Sequence, residues 1–222
     1  MSAHPKSINI ISDIAGRFLE LQLLLAKMPQ ADITIALGDL NDRGSLSKQV
    51  IEYFMTTPNT DAIKGNHDQF LVDGCRHGII SDWMHNGGWA TIESYGGFIE
   101  LIPKAHVDWL NSRPLYFDFP DLFLSHAPVT SLNKEYIPAR FSQDEHVLGC
   151  YGFLWNRNYP RKPLKKFHIF GHNSRYKEYK DGSGKVYAIC LDDSANRRLN
   201  GIHWISETDR QLYTVDYIET KE

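Results

Sequence analysis

The chain lacks the features that mark disulfide-stabilised, membrane-spanning or nucleic-acid-binding proteins. Its three cysteines are odd in number and widely spaced, so a disulfide framework is not expected. No apolar run approaches the length of a membrane span, and the start "MSAHPKSINI" has no charged segment followed by an apolar core. Lysine and arginine number 24 against 27 acidic residues, which gives no basic field for nucleic acid. We therefore expect a cytoplasmic protein that binds neither membranes nor nucleic acid.

Internal repeats and low-complexity linkers are also missing. The 222 residues, of which 42% are hydrophobic, suit a single globular domain over residues 1–222. In the first third, strand-like runs alternate with amphipathic runs of helical period, which predicts a parallel sheet with crossover helices.

The character of the chain changes after this first third. "SDWMHNGGWATIESYGG" predicts a helix interrupted at Gly87 and Gly88, and "HVDWLNSR" predicts another helix. The later runs are mostly strand-like, among them "LFLSHA", "KFHIFGH", "KVYAICL" and "QLYTVDY". An α/β front and a β-rich back predict sheets that pack together with helices outside.

Five of the strand-like runs end in a polar cluster. The clusters are "SDIAG" (12–16), "GDLNDRG" (38–44), "GNHD" (65–68), "SHAP" (125–128) and "GHN" (171–173). Loops at the carboxyl ends of strands gather ligands at one edge of an α/β sheet, so the clusters predict one shared site. Its side chains would be Asp13, Asp39, Asp42, Asn66, His67, His126 and His172. Oxygen and imidazole ligands together suit a divalent metal such as manganese, iron or zinc.

Each cluster alone has a simpler structural interpretation. A histidine after an apolar run is more often hydrogen-bonded at a strand end than bound to metal, and "GNHD" is typical of a turn. "DRG" is typical of a salt bridge followed by a helix start. The ordered set of five, each placed after an apolar strand, favours a metal site over these separate interpretations.

The series D-x-x-G, GDxxDRG, GNHD, SHA and GH resembles the calcineurin-like metallophosphoesterases. More narrowly, it resembles the bacteriophage and bacterial branch of the serine/threonine phosphoprotein phosphatases, to which "DWMHNGGWATIESYG" and "FLWNR" (153–157) are also similar. The resemblance implies an α/β fold of two mixed β-sheets, packed as a sandwich and flanked by helices, with metals at one rim.

The resemblance also implies a ligand set for two divalent metal ions, Mn²⁺ first, with iron or zinc as alternatives. Asp39 would bridge the two metals and Asp13 would bind the first. The second metal would be bound by Asn66, His126 and His172. A hydroxide shared between the metals would attack the phosphorus.

Catalytic and phosphate-binding roles follow from the same resemblance. His67 would be the general acid that protonates the leaving oxygen, oriented by Asp42. Arg43 and Arg157, together with Asn66, would hold the phosphate oxygens, because guanidinium groups match them bidentately.

The chain departs from the family pattern at one metal position. The family's first motif is D-x-H-G, and here residues 13–16 read "DIAG", with Ala15 in place of the histidine. The segment "GHNS" also has no second histidine two residues on, although the broader family often has one there. We therefore expect a weakened first metal site and reduced activity. Ala15 is explained either by engineering of an inactive variant or by natural drift, and the intact His67 favours engineering.

Three functions fit this sequence. The leading one is a metal-dependent protein phosphatase, specific for serine and threonine or of dual specificity, acting on a phosphorylated protein or peptide or on a small phosphoester. The second is a symmetrical dinucleoside tetraphosphatase, which would need a pocket that stacks the bases. The candidates for this pocket are Trp83, Trp89, Tyr95 and Trp155, and core packing is the simpler role for all four. The third is a non-catalytic phosphate- or partner-binding protein. The irregular segment from Val129 to Tyr151 is a hypothetical lid.

Overall fold

Two five-stranded sheets form the centre of the computed structural model, which describes residues 4–130 and 151–219. The first sheet has the order β10-β9-β1-β2-β3 and contains β1 (Ile8–Ile11), β2 (Ile33–Ala36), β3 (Thr60–Ala62), β9 (Arg198–Trp204) and β10 (Arg210–Asp216). The second has the order β4-β5-β6-β8-β7 and contains β4 (Tyr116–Asp118), β5 (Leu122–Ser125), β6 (Phe167–Phe170), β7 (Lys177–Lys180) and β8 (Val186–Cys190). Both sheets are mixed. Strands β1, β2 and β3 pair in parallel, as do β5, β6 and β8, whereas β9 and β10 in the first sheet and β4 and β7 in the second pair antiparallel with their neighbours.

The helices lie in the connections between strands. They are α1 (Phe18–Lys27), α2 (Ser47–Thr56), α3 (Asn66–His77), α4 (Ser81–His85), α5 (Gly88–Ser94), α6 (Lys104–Asn111) and α7 (Tyr151–Trp155), with 3-10 turns at Ile99–Leu101 and Ser194–Asn196. None of these helices has the length and apolarity that a membrane crossing requires within the described residues. Cys75 and Cys190 are free thiols.

Strand β1 is buried on both faces, which explains its continuous apolar run. Ile8 and Ile10 pack against the second sheet in a core that includes Leu124 and Ile169. Ile11 points the opposite way and belongs to the core under the helices. A strand covered on both faces has no polar face, so it reads as a hydrophobic run and does not alternate.

The predicted fold class, two mixed sheets packed together and flanked by helices, is confirmed. The predicted helix break is also present, because α4 ends at His85 and α5 begins at Gly88. Three elements went unpredicted: α3, whose first turn is the polar "NHD", the short helix α7, and β7, a charged "KEYK" strand at the edge of its sheet. Most of the hypothetical lid, residues 131–150, lies outside the described residues.

Candidate metal centre

The polar clusters that follow the central strands meet at one rim of the sandwich. The backbone N–H of His172, after β6, donates to the Asp13 carboxylate after β1, at 3.1 and 3.2 Å. His126, after β5, has its Nε2 3.4 Å from Oδ1 of Asp39, which follows β2. The structure therefore brings the strand ends of both sheets together, as the order of the motifs predicts.

Asp13, Asp39 and His126 form a compact buried group of possible metal ligands. One ligand atom from each lies within 4.8 Å of the other two. His126 Nδ1 lies 2.8 Å from the carbonyl oxygen of Leu37, which can only accept, so Nδ1 donates and Nε2 is the ring nitrogen that faces the site. That Nε2 also lies 2.8 Å from Oδ1 of Asn66, so the amide oxygen and the imidazole converge on the same point.

His172 completes the set on the side of the second sheet. Its residue is 5% exposed, and its Nε2 is buried with no hydrogen-bond partner in the described part of the chain. Burial, and then the neighbouring His126, lower the pKa of His172 to about 3, so the imidazole is neutral. A buried, neutral and unpartnered imidazole nitrogen fits a metal ligand.

The carboxylates give the site an excess of buried negative charge. Burial, then Asp192 and Asp39, raise the pKa of Asp13 well above its usual range. For Asp39, burial acts in the same direction, but attraction to the protonated forms of His126, His67 and His172 outweighs it and lowers the pKa to about 2. A divalent cation among these groups would relieve the repulsion, so the donor set fits such an ion in charge and in chemical type.

The ligand loops adopt a backbone conformation that is rare outside glycine. The φ angles are +30° at Asp13, +52° at Asp39 and +67° at His172, and Ala15 and Asp42 are also positive. Residues in this region are strained by about 1 to 3 kcal/mol each and cluster at functional sites. The conformation turns each chain sharply at the end of its strand, so the side chain faces the rim.

His67 and Asp42 form a hydrogen-bonded pair beside the ligands. Nδ1 of His67 lies 2.6 Å from Oδ2 of Asp42, whose residue is fully buried. Oδ1 of Asp42 accepts from the Asn41 amide at 2.8 Å, the Trp83 indole at 2.9 Å and the Thr91 hydroxyl at 2.6 Å. These donors fix the carboxylate, which in turn fixes the ring of His67 with Nδ1 protonated.

The two predicted phosphate-binding arginines lie on the solvent side of the group. Nη2 of Arg43 is 3.0 Å from Nε2 of His67, so Nε2 accepts from the guanidinium. Burial lowers the pKa of His67, but Asp39 and the hydrogen bond to Asp42 outweigh it, so the pKa is raised above its usual value. Arg157 is exposed, and its positive charge is one of the causes that lower the pKa of His172, which places it on that side of the rim.

Ala15 occupies the turn between Asp13 and α1, and its methyl group supplies no ligand atom. Its residue is 6% exposed, its N–H donates to the Asp39 carbonyl at 2.8 Å, and its carbonyl accepts from Gly44 N–H at 2.9 Å. The turn therefore keeps its backbone contacts without the imidazole. On this side, the predicted ligands that remain are Asp13 and Asp39.

Sequence reasoning missed several residues that shape the site. Asp68, the last residue of "GNHD", accepts from the backbone N–H groups of Asp39, Leu40 and Gly65 at 2.9, 3.0 and 2.7 Å. It fixes the Asp39 loop to the start of α3. Asp192 follows β8 and is 3% exposed, and the available signal was an apolar strand, "KVYAICL", that ends in an acid as β1 does.

The aromatic residues considered for base stacking occupy different environments. Trp83 is fully buried and binds Asp42, and Tyr95 is buried with its hydroxyl 2.8 Å from His106, so both belong to the core. Trp155 packs edge-on against His172, with ring centroids 6.3 Å apart. Trp89 is 60% exposed and is the most exposed of the four candidates.

Solved structures of known proteins share this fold. A putative diadenosine tetraphosphatase superposes with a TM-score of 0.64 at 17% identity, covering 96% of this chain and 95% of that one. A serine/threonine phosphatase from Saccharomyces cerevisiae superposes with a TM-score of 0.68 at 15% identity, covering 97% and 81%. At such identities the likeness concerns the fold alone.

Sequence relatives carry two different names. A symmetrical bis(5'-nucleosyl)-tetraphosphatase of Shewanella baltica is 33% identical over 128 residues, which cover 55% of this chain and 44% of that protein. Serine/threonine-protein phosphatase 2 of Escherichia coli is 31% identical over 88 residues, which cover 38% and 40%. The chain thus spans less than half the length of these curated relatives. The family model for calcineurin-like phosphoesterases matches residues 6–201, and the chain belongs to that family of hydrolases.

Proposed function

We propose that the chain is a metal-dependent phosphoester hydrolase that acts on phosphoserine or phosphothreonine. The observation that carries the proposal is the convergence of the buried ligand group on the hydrogen-bonded pair of His67 and Asp42, with Arg43 on the solvent side. Hydrolysis of a phosphoester needs charge neutralisation, a nucleophile and a proton for the leaving oxygen. This rim holds groups suited to each task.

Metal ions would be held by Asp13 and Asp39 on one side and by Asp39, Asn66, His126 and His172 on the other. They would supply an acidified water and neutralise the phosphoryl oxygens. The second side has four protein ligands, whereas the first has two carboxylates and no imidazole at residue 15. We therefore propose that this Ala15 form has reduced activity.

His67 would act as the general acid. In the free protein its Nε2 accepts from Arg43, so that nitrogen is unprotonated. A phosphate group that draws the guanidinium toward its own oxygens would release Nε2. The carboxylates of Asp39 and Asp42, which raise the pKa of His67, then favour a proton there for delivery to the leaving oxygen.

The second candidate function is hydrolysis of a dinucleoside tetraphosphate, and two observations favour it. The Shewanella baltica relative bears that name, and Trp89 has an exposed ring close to the phosphate-binding side. The backbone N–H of Arg43 donates to the Gly87 carbonyl at 3.2 Å, and Trp89 lies two residues further along. An aromatic face near a phosphate-binding arginine suits a nucleoside.

One comparison tests the proposal. Turnover with Mn²⁺ is measured on a phosphoserine peptide, a dinucleoside tetraphosphate and 4-nitrophenyl phosphate, using this chain, Ala15→His and Asp39→Asn. We expect kcat/KM to be highest for the phosphopeptide, to rise in Ala15→His and to fall to background in Asp39→Asn. Preference for the tetraphosphate would favour the second function. If Ala15→His turns over none of the three substrates, the chain is a non-catalytic binding protein and the proposed hydrolase function is wrong.

A further inference from the structure

A cavity of about 250 Å³ opens beside the candidate metal centre, on the side of Ala15. Its wall includes the first turn of α1, the loop that leads into α2, and three arginines, Arg17, Arg43 and Arg197. One acidic residue, Glu20, also lines the cavity. Drug-sized ligands occupy pockets of about 300 to 1,000 Å³, so this cavity suits a smaller group. None of the functions considered above uses it.

The positive charge of the cavity is largely uncompensated. Glu20 is buried and shared, because its Oε1 lies 3.6 Å from Nη1 of Arg17 and also accepts from the N–H of Ile218 at 3.0 Å. The Arg17 guanidinium also stacks on the Tyr217 ring, with its central carbon 3.7 Å from the ring centroid, and its Nε is buried with no hydrogen-bond partner among residues 4–130 and 151–219. Arg17 therefore contributes mainly its charge to the cavity. Within the same described ranges, neither Arg43 nor Arg197 has a carboxylate oxygen within 4.0 Å. The cavity therefore has guanidinium donors available for an anion.

The start of α1 adds backbone donors to this arginine cluster. Helix α1 has ten residues and no side-chain cap at its N-terminus. Phe18 and Leu19 of its first turn line the cavity. The N–H of Leu46, before α2, already donates to the Gly16 carbonyl at 2.9 Å. Uncapped first-turn N–H groups favour anions, and here they support a site that the arginines already define.

Arg43 links this cavity to the proposed catalytic pair. Its guanidinium lines the cavity and also places Nη2 3.0 Å from Nε2 of His67. A guanidinium has donors on more than one edge, so neighbouring phosphates of one chain can bind to it together. We propose that Arg17, Arg43 and Arg197 form a second phosphate subsite for substrates with linked phosphates, one hydrolysed at the metal centre and the next held in the cavity. This proposal rests on the proposed metal-dependent phosphoester hydrolysis and not on the phosphoserine specificity proposed with it.

Binding of inorganic tripolyphosphate, measured by titration calorimetry in EDTA, tests the subsite without turnover. Arg197→Gln removes one cavity charge from an exposed side chain. Arg198→Gln is the matched control, because it removes the same charge one residue along, where the side chain pairs with Asp216. We expect Arg197→Gln to weaken tripolyphosphate binding at least ten-fold and Arg198→Gln to change it less than two-fold. Equal losses in both variants, or no binding by the parent chain, would overturn the subsite.

Arg17→Gln gives a second, independent reading, with its fold checked by circular dichroism. A folded variant should also lose tripolyphosphate affinity at least ten-fold, and retained affinity would contradict the assignment. A peptide with two adjacent phosphoserines tests whether the second phosphate is linked directly to the first, as in tripolyphosphate, or is carried by a neighbouring residue. If this peptide binds more tightly than tripolyphosphate, and does so through Arg197, the linked-phosphate assignment is wrong. The two proposals can also fail separately. If the chain binds tripolyphosphate through Arg197 but hydrolyses no phosphoester, the phosphate subsite stands and the proposed hydrolase function is wrong.

Discussion

Asp42 illustrates, at the scale of single residues, how the surroundings of one side chain assign roles to its two oxygens. Oδ1 is occupied by three donors, from Asn41, Trp83 and Thr91, so Oδ2 is left for Nδ1 of His67. These donors hold the Asp42 carboxylate in one orientation. It therefore fixes the tautomer of His67 and supports a proton on Nε2.

His67→Asn should separate metal binding from proton transfer. The substitution leaves the proposed ligands in place and removes the acid, so we expect unchanged metal content by elemental analysis. General acid catalysis contributes about 10²- to 10⁴-fold, so kcat on an alkyl phosphoester should fall at least 100-fold. Hydrolysis of 4-nitrophenyl phosphate should fall much less, because its leaving group needs no proton.

The pH dependence gives the control for this prediction. Asp39 and Asp42 raise the pKa of His67, so its acid form persists above the usual range and is lost as the pH rises through that pKa. Turnover of the alkyl ester by the parent chain should fall along that alkaline limb, and the limb should be missing from His67→Asn. Near-parent alkyl turnover in the variant would contradict the role of His67.

Ala15→His should restore the first metal site. The backbone of the turn is already held by Asp39 and Gly44, so the imidazole adds a ligand without rebuilding the loop. We expect one further equivalent of bound Mn²⁺ and a rise in kcat of roughly 100-fold, or ~2.7 kcal/mol of barrier. Ala105→His, which adds an imidazole at an exposed position of α6, is the control and should change neither. Two tightly bound metals in the parent chain would show that Ala15 does not weaken the site.

At the scale of elements, the loops after β1 and β2 behave as one unit. Ala15 N–H donates to the Asp39 carbonyl, Gly16 N–H to the Leu40 carbonyl at 2.9 Å, and Gly44 N–H to the Ala15 carbonyl. These backbone bonds join the loop of Asp13 to the loop of Asp39. A displacement of one loop should therefore move both carboxylates.

Gly16→Ala should break this contact between the loops. Gly16 has φ of +69°, and an added Cβ would overlap the carbonyl oxygen of Gly44 and lie 2.7 Å from the Ser47 hydroxyl. We expect a loss of about 1 to 3 kcal/mol in the free energy of unfolding, measured in urea, with weaker Mn²⁺ binding. Gly184→Ala is the control. Gly184 has φ of +87° and no atom lies within 4 Å of the new Cβ, so this variant should lose only the stability that the positive φ costs an alanine. Equal losses in both variants would show that the Gly44 contact is unimportant.

The elements also show what the sequence could and could not predict. Residues after apolar strands, such as Asp13 and His126, were predictable because parallel strands bring their carboxyl ends together. Helix α3 was not, since its polar first turn has no helical hydrophobic period before Phe70. The role of Trp83 was also out of reach, because its bond to Asp42 joins residues 41 positions apart. The roles assigned to the site residues remain predictions.

At the scale of the whole molecule, the two sheets share an apolar core that begins behind the metal rim. Ile10 and Ile35 of the first sheet pack with Leu124 and Ile169 of the second, and all four are fully buried. The same strands carry Asp13, Asp39, His126 and His172 at their ends. Burial of the sandwich core therefore holds the two halves of the ligand set in register, and conditions that loosen the sandwich should also disperse the ligands.

His168 makes this stability depend on pH. It is fully buried in β6, its Nε2 lies 2.8 Å from the Ser125 hydroxyl, and its ring packs beside Phe170 with centroids 4.9 Å apart. Burial lowers the pKa of His168 to about 3. Its ordinary value is 6.5, so as the pH falls below that value the unfolded chain takes up a proton that the folded chain does not.

Stability should therefore fall on acidification, and His168 alone should account for about 2 kcal/mol between pH 7 and pH 5. His168→Phe keeps a ring beside Phe170 and removes the titrating group. We compare the free energy of unfolding in urea at pH 5 and pH 7, in EDTA so that no metal contributes. The parent chain should lose more stability than His168→Phe over this interval, whatever the absolute stability of the variant, because carboxylates titrate equally in both. Identical pH dependence in the two proteins would mean that His168 is protonated as readily in the folded chain as in the unfolded one.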